Sequence, residues 1–145
     1  MDFGTLLFGF SGRINRAKYW LAVLIYIVVS VVLQVLALAL GQGMIMMVLG
    51  LIVGIGMIVS GIAIGIKRLH DRNKSGWLLL AIYLVPAILI GLGFWLALAL
   101  GSAIIMWVLY LVALAIWVWA FVELGCLRGT VGPNQYGPDP LTPGA

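Results

Sequence analysis

The sequence predicts an all-α integral membrane protein: a bundle of four transmembrane helices with both termini in the cytoplasm. Three observations predict it. First, 65% of the 145 residues are hydrophobic and 8% are charged, against roughly 25% charged in an average soluble domain. A soluble chain of this length has no interior large enough to hide so much apolar surface. Second, the apolar residues fall into four uncharged runs, each near the about 20 residues that cross the hydrocarbon at 1.5 Å per residue. Third, all the basic residues lie on one side of those runs.

The first run, Tyr19 to Leu40, follows Arg13, Arg16 and Lys18. It is too long for a signal-peptide core and ends without a small-x-small cleavage site, so it is expected to stay as a helix. Asn15 is placed to cap it. The second run is Met44 to Ile66. Gly43, Gly50, Gly54, Gly61 and Gly65 fall within one narrow sector of it at about 100° per residue. Such a stripe allows close backbone approach, either inside the bundle or across a homodimer seam. Asn73 is suited to close this helix in a left-handed conformation. The third run, Trp77 to Leu100, has Ser75 as its expected cap and Pro86 midway. A proline there removes one backbone bond and bends the helix, as a hinge or to fit its neighbours. The fourth run is Ser102 to Val122. The stretch from Trp77 to Val122 is too long for one span, so a turn falls at Gly91-Leu92-Gly93 or at Gly101-Ser102. The second position leaves two helices of adequate length. The transmembrane domain thus covers residues 1–128, and residues 129–145 form a turn-rich cytoplasmic tail.

Charge sets the orientation. Lys67, Arg68, Arg72 and Lys74 separate the second and third runs, and Arg128 follows the fourth, while the two opposite connections carry no charge. The positive-inside rule makes the basic side cytoplasmic. Tyr19, Trp20, Trp77, Trp117, Trp119 and Phe121 lie toward the same interface, and Trp95 toward the other. The net charge of +4 sits in short clusters between apolar runs. That distribution suits anionic lipid headgroups and not nucleic acid, which calls for a soluble basic face with aromatics.

None of the four runs contains Asp, Glu, Lys, Arg or His. Coupled carriers place ionisable groups at depth, and intramembrane proteolysis needs a nucleophile and base or paired carboxylates there. Both classes are disfavoured. Cys126 is the single cysteine, so neither an internal disulfide nor a zinc cluster is indicated, and no metal or cofactor is expected. Any chemistry must use the segment Lys67-Arg68-Leu69-His70-Asp71-Arg72-Asn73-Lys74-Ser75-Gly76-Trp77. Three readings stand: a charge-satisfied connector, with Asp71 paired to an arginine or to His70; a general acid–base role for His70 with Asp71; or phosphate binding by Arg68 and its basic neighbours.

Three stretches carry a resemblance to a known family. They are Phe10-Ser11-Gly12-Arg13-Ile14-Asn15-Arg16 leading to Tyr19-Trp20; Arg68-Leu69-His70-Asp71 followed by Ser75-Gly76-Trp77; and Gly129 to Pro140, which includes Pro133-Asn134-Gln135-Tyr136-Gly137-Pro138-Asp139. In this order they resemble the small bacterial inner-membrane proteins grouped as domain of unknown function 805. The chain departs from that pattern after Asp71, where Arg72-Asn73 replace a small residue and glycine. The resemblance implies a bacterial plasma-membrane protein and no particular reaction.

All three motifs map to the cytoplasmic face. The segment from Gly129 to Pro140 is too rich in Gly and Pro for helix. It is either a loose tail or one that folds back, with Tyr136 as anchor and Asp139 near Arg13, Arg16 or Arg68. The candidate site is therefore Arg13, Arg16, Arg68, His70, Asp71, Tyr136 and Asp139. The leading expectation is a structural or interaction protein whose basic rim binds anionic lipid or a protein partner. A headgroup-modifying enzyme and an oligomeric small-solute channel are the alternatives.

Overall fold

The computed structural model describes residues 2–142, so the last three residues of the expected tail lie outside the described range. Five helices follow one another: α1 (Phe3–Phe8), α2 (Arg16–Leu40), α3 (Met44–Asp71), α4 (Leu78–Leu100) and α5 (Ile104–Phe121), the last continued by a π-helical turn over Val122–Cys126. Among the described residues there is no strand, only an isolated bridge between Asn134 and Gly137. Four helices are long and apolar enough to cross a membrane.

The helix ends follow local chemistry more than the edges of the apolar runs. The Asn15 side chain accepts from the Lys18 N–H at 2.9 Å, so α2 begins at Arg16, ahead of the apolar run. The expected end of the second helix, Ile66, is overrun as far as Asp71. Lys67 and Arg68 are good helix formers, and their charges are satisfied by protein groups, so they need not stop the helix at water. Asn73, in the left-handed region (φ 56), closes it. Ser75, expected as the next cap, lies too early: its Oγ accepts from the Trp77 N–H at 3.3 Å within a preceding turn, and α4 starts at Leu78 after Trp77, with no side-chain cap. The break before α5 falls at Gly101, also left-handed (φ 62). Two elements were not anticipated: α1, too short to leave a periodic signal, and the π turn.

Most of the surface is apolar. Leu38 is 84% exposed and Ile45 83%, as expected where lipid is the solvent and every backbone group must be paired within its own helix. The buried residues gather toward one end. Leu69, Leu79, Ile82, Ala120 and Leu124 form one cluster, and Leu6, Ile14, Ala22 and Ile64 a second. Both lie at the end that carries the α3–α4 connection and the two chain termini. Elsewhere α4 and α5 are the closely packed pair; a Cβ on Gly93 would stand 3.3 Å from the Met106 Cα. Pro86 is fully buried on α4.

Between α2 and α3 one polar pair forms within the apolar region, with Tyr26 Oη and Ser60 Oγ 2.6 Å apart. The glycine stripe of α3 divides. Gly65 meets α4, where a Cβ would come within 2.7 Å of Leu79. A Cβ on Gly43, Gly50, Gly54 or Gly61 meets nothing within 4 Å.

Candidate functional site

The last turns of α3 carry Lys67, Arg68 and Asp71 into the interior of the basic face, where all three are buried. A buried charge is costly unless it is paired and hydrogen-bonded, and each is. The Lys67 ammonium donates to the Thr5 and Leu6 carbonyls at 2.8 and 2.5 Å. It thereby takes the last carbonyls of α1, where a cation complements the helix dipole. Arg68 donates through Nε to the Leu124 carbonyl at 2.6 Å and through a terminal nitrogen to the Leu127 carbonyl. The π turn presents the first acceptor and the residue that follows it presents the second. The other terminal nitrogen of Arg68 lies 2.5 Å from Asp71 Oδ2.

Asp71 joins two arginines. Its Oδ1 accepts from Arg13, with Nε at 3.2 Å and a terminal nitrogen at 3.1 Å. Arg13 then reaches the tail, donating to the carbonyls of Thr130 (2.6 Å), Gly132 (2.8 Å) and Gly137 (3.2 Å). The Asp71 carbonyl accepts from both the N–H and hydroxyl of Thr130. Gly129 lies against the carboxylate so closely that a Cβ would overlap it. Asn134 donates to the His70 carbonyl and to Thr130 Oγ1, each at 2.9 Å. Tyr136 stacks on His70 with ring centroids 3.8 Å apart and planes 4° from parallel.

The described tail is therefore folded back onto the basic face. The direct carboxylate partner of Arg13 and Arg68 is Asp71, while buried Asp139 accepts from the Gly132 and Leu141 N–H groups, both at 3.0 Å. Those bonds, that from Leu141 foremost, hold its carboxyl below the usual range. The geometry follows from reach: Asp71 is offered on a rigid helix end between the two guanidiniums, whereas Asp139 lies in a turn and is satisfied locally.

His70 and Asp71 are neighbours in sequence but are not hydrogen-bonded to each other among the described residues. The imidazole Nδ1 lies 3.2 Å from the Gly12 carbonyl oxygen, which can only accept, so Nδ1 carries a proton. Both Asp71 oxygens face arginine. Arg16 is set apart from the buried network. It is exposed, and donates to the Cys126 carbonyl at 3.3 Å. Gly65 is the glycine of the five that touches another helix.

Glu123 escaped the sequence reading. It is buried, with Oε1 3.0 Å from Arg72 Nε and 2.9 Å from Lys74 Nζ. Lys74 also lies 5.6 Å from the centroid of the Trp119 ring. An acid at the end of an apolar run, facing a basic connection across the bundle, was the available signal. Trp20, whose indole donates to the Gly125 carbonyl at 3.0 Å, adds a further tie between α2 and the π turn.

The chain belongs to the family described as protein of unknown function DUF805, whose model matches residues 7–138. The Escherichia coli K12 inner membrane protein YhaI is 32% identical over 133 residues, covering 91% of this chain and 86% of that protein. Inner membrane protein YhaH of the same strain is 29% identical over 138 residues, covering 91% and 87%. The uncharacterized protein YiiR is 30% identical over 135 residues, covering 92% and 86%. No solved structure matches at a significant level. With its four membrane-crossing helices, the chain is a multi-pass inner-membrane protein.

Proposed function

From its place in this inner-membrane family, we propose that the protein is an interaction module of the cytoplasmic membrane surface, holding anionic phospholipid headgroups at a rim formed by Arg16, Lys18 and Arg128. The observation that carries this reading is the division of the basic residues. Arg13, Arg68, Arg72 and Lys74 are paired with Asp71 or Glu123, and Lys67 is buried against carbonyls. Arg16, Lys18 and Arg128 have no carboxylate within ion-pair distance among the described residues. They supply charge at the level where anionic lipids attract about 1 kcal/mol per basic residue.

A small cleft of about 230 Å³ supports the reading. It is lined by Asn15, Arg16, Arg128 and Gly129, with Asp71 and Asp139 on its inner wall. It sits at the N-terminus of the long helix α2, where the dipole favours an anion. The basic residues placed on one face support a cytoplasmic orientation of both termini. The network behind the rim reads as the frame that holds the rim in shape.

The test is native mass spectrometry of the detergent-purified protein titrated with phosphatidylglycerol, beside an Arg16→Gln/Lys18→Gln/Arg128→Gln variant. Retention of phosphatidylglycerol should fall about tenfold or more in the variant while its melting temperature stays near that of the parent, since exposed charges contribute little to stability. Equal retention by both proteins would reject the rim as a headgroup site and turn attention to a protein partner.

A further inference from the structure

A second feature lies on the other side of the α3 terminus. An open groove of about 990 Å³ runs between α3 and α4, at the upper end of small-molecule sites. Its walls are apolar: Met57 and Ile62 on α3, Leu80 and Leu84 on α4. Polar side chains gather at one end, where His70, Ser75 and Tyr136 line the mouth, and Tyr26 and Tyr83 add two hydroxyls along the length. Gly61 leaves it open, since a Cβ there meets nothing within 4 Å.

We infer that this groove is a binding site for one phospholipid of the cytoplasmic leaflet, taking an acyl chain between α3 and α4 and an amine-bearing headgroup at His70 and Ser75. It lies outside the Arg16, Lys18 and Arg128 rim and uses none of its residues.

Length argues for a lipid chain. From His70 to Met57 the groove follows α3 for about 20 Å at 1.5 Å per residue. One leaflet of hydrocarbon is about 15 Å deep, half of a core about 30 Å thick. The groove thus covers one leaflet with its headgroup border. A transmembrane helix of a second copy would need a seat through the full core. The polarity suits a lipid: mostly apolar along the length, with the imidazole and the Ser75 hydroxyl at the interface, where Trp77, 76% exposed, marks the boundary. Water is poorly held by such walls, because it needs two to four polar partners, and with Tyr26 bonded to Ser60 the Tyr83 hydroxyl is a single partner along the length.

The mouth selects the headgroup. His70 Nδ1 carries a proton toward Gly12, so in the neutral ring Nε2 is an acceptor. Nε2 has no partner among the described residues and faces Gly76, 3.4 Å from where a Cβ would stand. Tyr136 holds the ring flat by stacking. The Ser75 oxygen accepts from Trp77, which leaves its O–H for a phosphate oxygen. A primary ammonium donates to Nε2; a quaternary ammonium has no N–H to donate.

The experiment is native mass spectrometry of the full chain in mild detergent, titrated with phosphatidylethanolamine and with phosphatidylcholine of identical acyl chains. The unmodified protein should retain phosphatidylethanolamine about tenfold better, a difference of about 1.4 kcal/mol. Gly61→Phe projects a ring into the groove from a position where a Cβ meets nothing within 4 Å and should abolish retention, and Leu80→Trp should do so from the opposite wall. The Arg16→Gln/Lys18→Gln/Arg128→Gln variant should retain phosphatidylethanolamine as the parent does, which separates this site from the rim. Equal retention of the two lipids, or unchanged retention in both groove variants, would overturn the assignment. So would a dimer without bound lipid that Gly61→Phe converts to monomer, because the groove would then seat a second copy.

Discussion

Asp71 is held by two guanidiniums, and its removal leaves both of them buried. Breaking a buried pair costs about 3–5 kcal/mol, because the remaining charge has no compensation. Asp71→Asn keeps the shape of the side chain but loses its charge, so we expect a destabilisation in that range, read as a lower melting temperature in detergent. Replacing a buried ion pair with apolar residues is often harmless, but here it should not be. Arg68 also donates to the Leu124 and Leu127 carbonyls, and Arg13 depends on the same carboxylate. Arg68→Met/Asp71→Leu therefore orphans acceptors in the π turn and should stay at least as unstable as Asp71→Asn. Recovery of parental stability by the double variant would show that the network is a local ion pair and not a joint between α3, the π turn and the tail. Lys67 makes a related point about position. It lies where the apolar run ends, but the carbonyls of α1 bind its ammonium, and the helix continues through it.

At the scale of elements, the tail behaves as a structural member held by backbone acceptors. Arg13 takes three of its carbonyls, and Asp139 closes a turn within it through Gly132 and Leu141. Those two bonds need the charged carboxylate, which is why its pKa is lowered. A carboxyl depressed in the folded state adds stability above its unfolded pKa of about 3.9 and loses it as pH falls through the lower folded value. The tail should therefore stay docked through the mildly acidic range. Carboxyl-carbon NMR in detergent, with Asp139→Asn to assign the signal, should place the Asp139 midpoint below 3.9; a midpoint at or above that value would mean that the two N–H bonds do not hold in solution. The same element shows what sequence does not carry. The four spans were legible in run length and charge placement, and Asn15 and Asn73 in capping chemistry. The backbone carbonyls that Arg13 and Arg68 take in the tail and beyond α5 were not, because those contacts depend on how far each side chain reaches once α3 extends past Ile66. The π turn left no periodic signal, and Glu123 was hidden by lying next to an apolar run whose partners are far away in sequence.

Over the whole molecule, order is concentrated at one end. The two buried clusters, the ion network and the docked tail share the basic face, whereas the glycines at positions 43, 50 and 54 face open space toward the other end. A membrane protein gains little from burying apolar surface against itself, since lipid is as apolar as leucine; polar and ionic ties at the interface then fix the helices relative to one another. The rim proposed as a headgroup site lies on this basic face, so the orientation of that face decides the proposal. Cys126 reports that orientation, being the single cysteine, exposed, and next to the rim through the bond from Arg16 to its carbonyl. A membrane-impermeant maleimide should modify Cys126 in inverted inner-membrane vesicles and leave it unmodified in intact spheroplasts. Ser102→Cys in a Cys126→Ala background should show the opposite pattern, because the α4–α5 connection lies across the bilayer. If Cys126 were instead labelled in spheroplasts, the basic rim would face away from the anionic cytoplasmic leaflet. Arg16, Lys18 and Arg128 would then lack the negative surface that their exposed charges suit, and lipid retention by the rim would have to be explained without it.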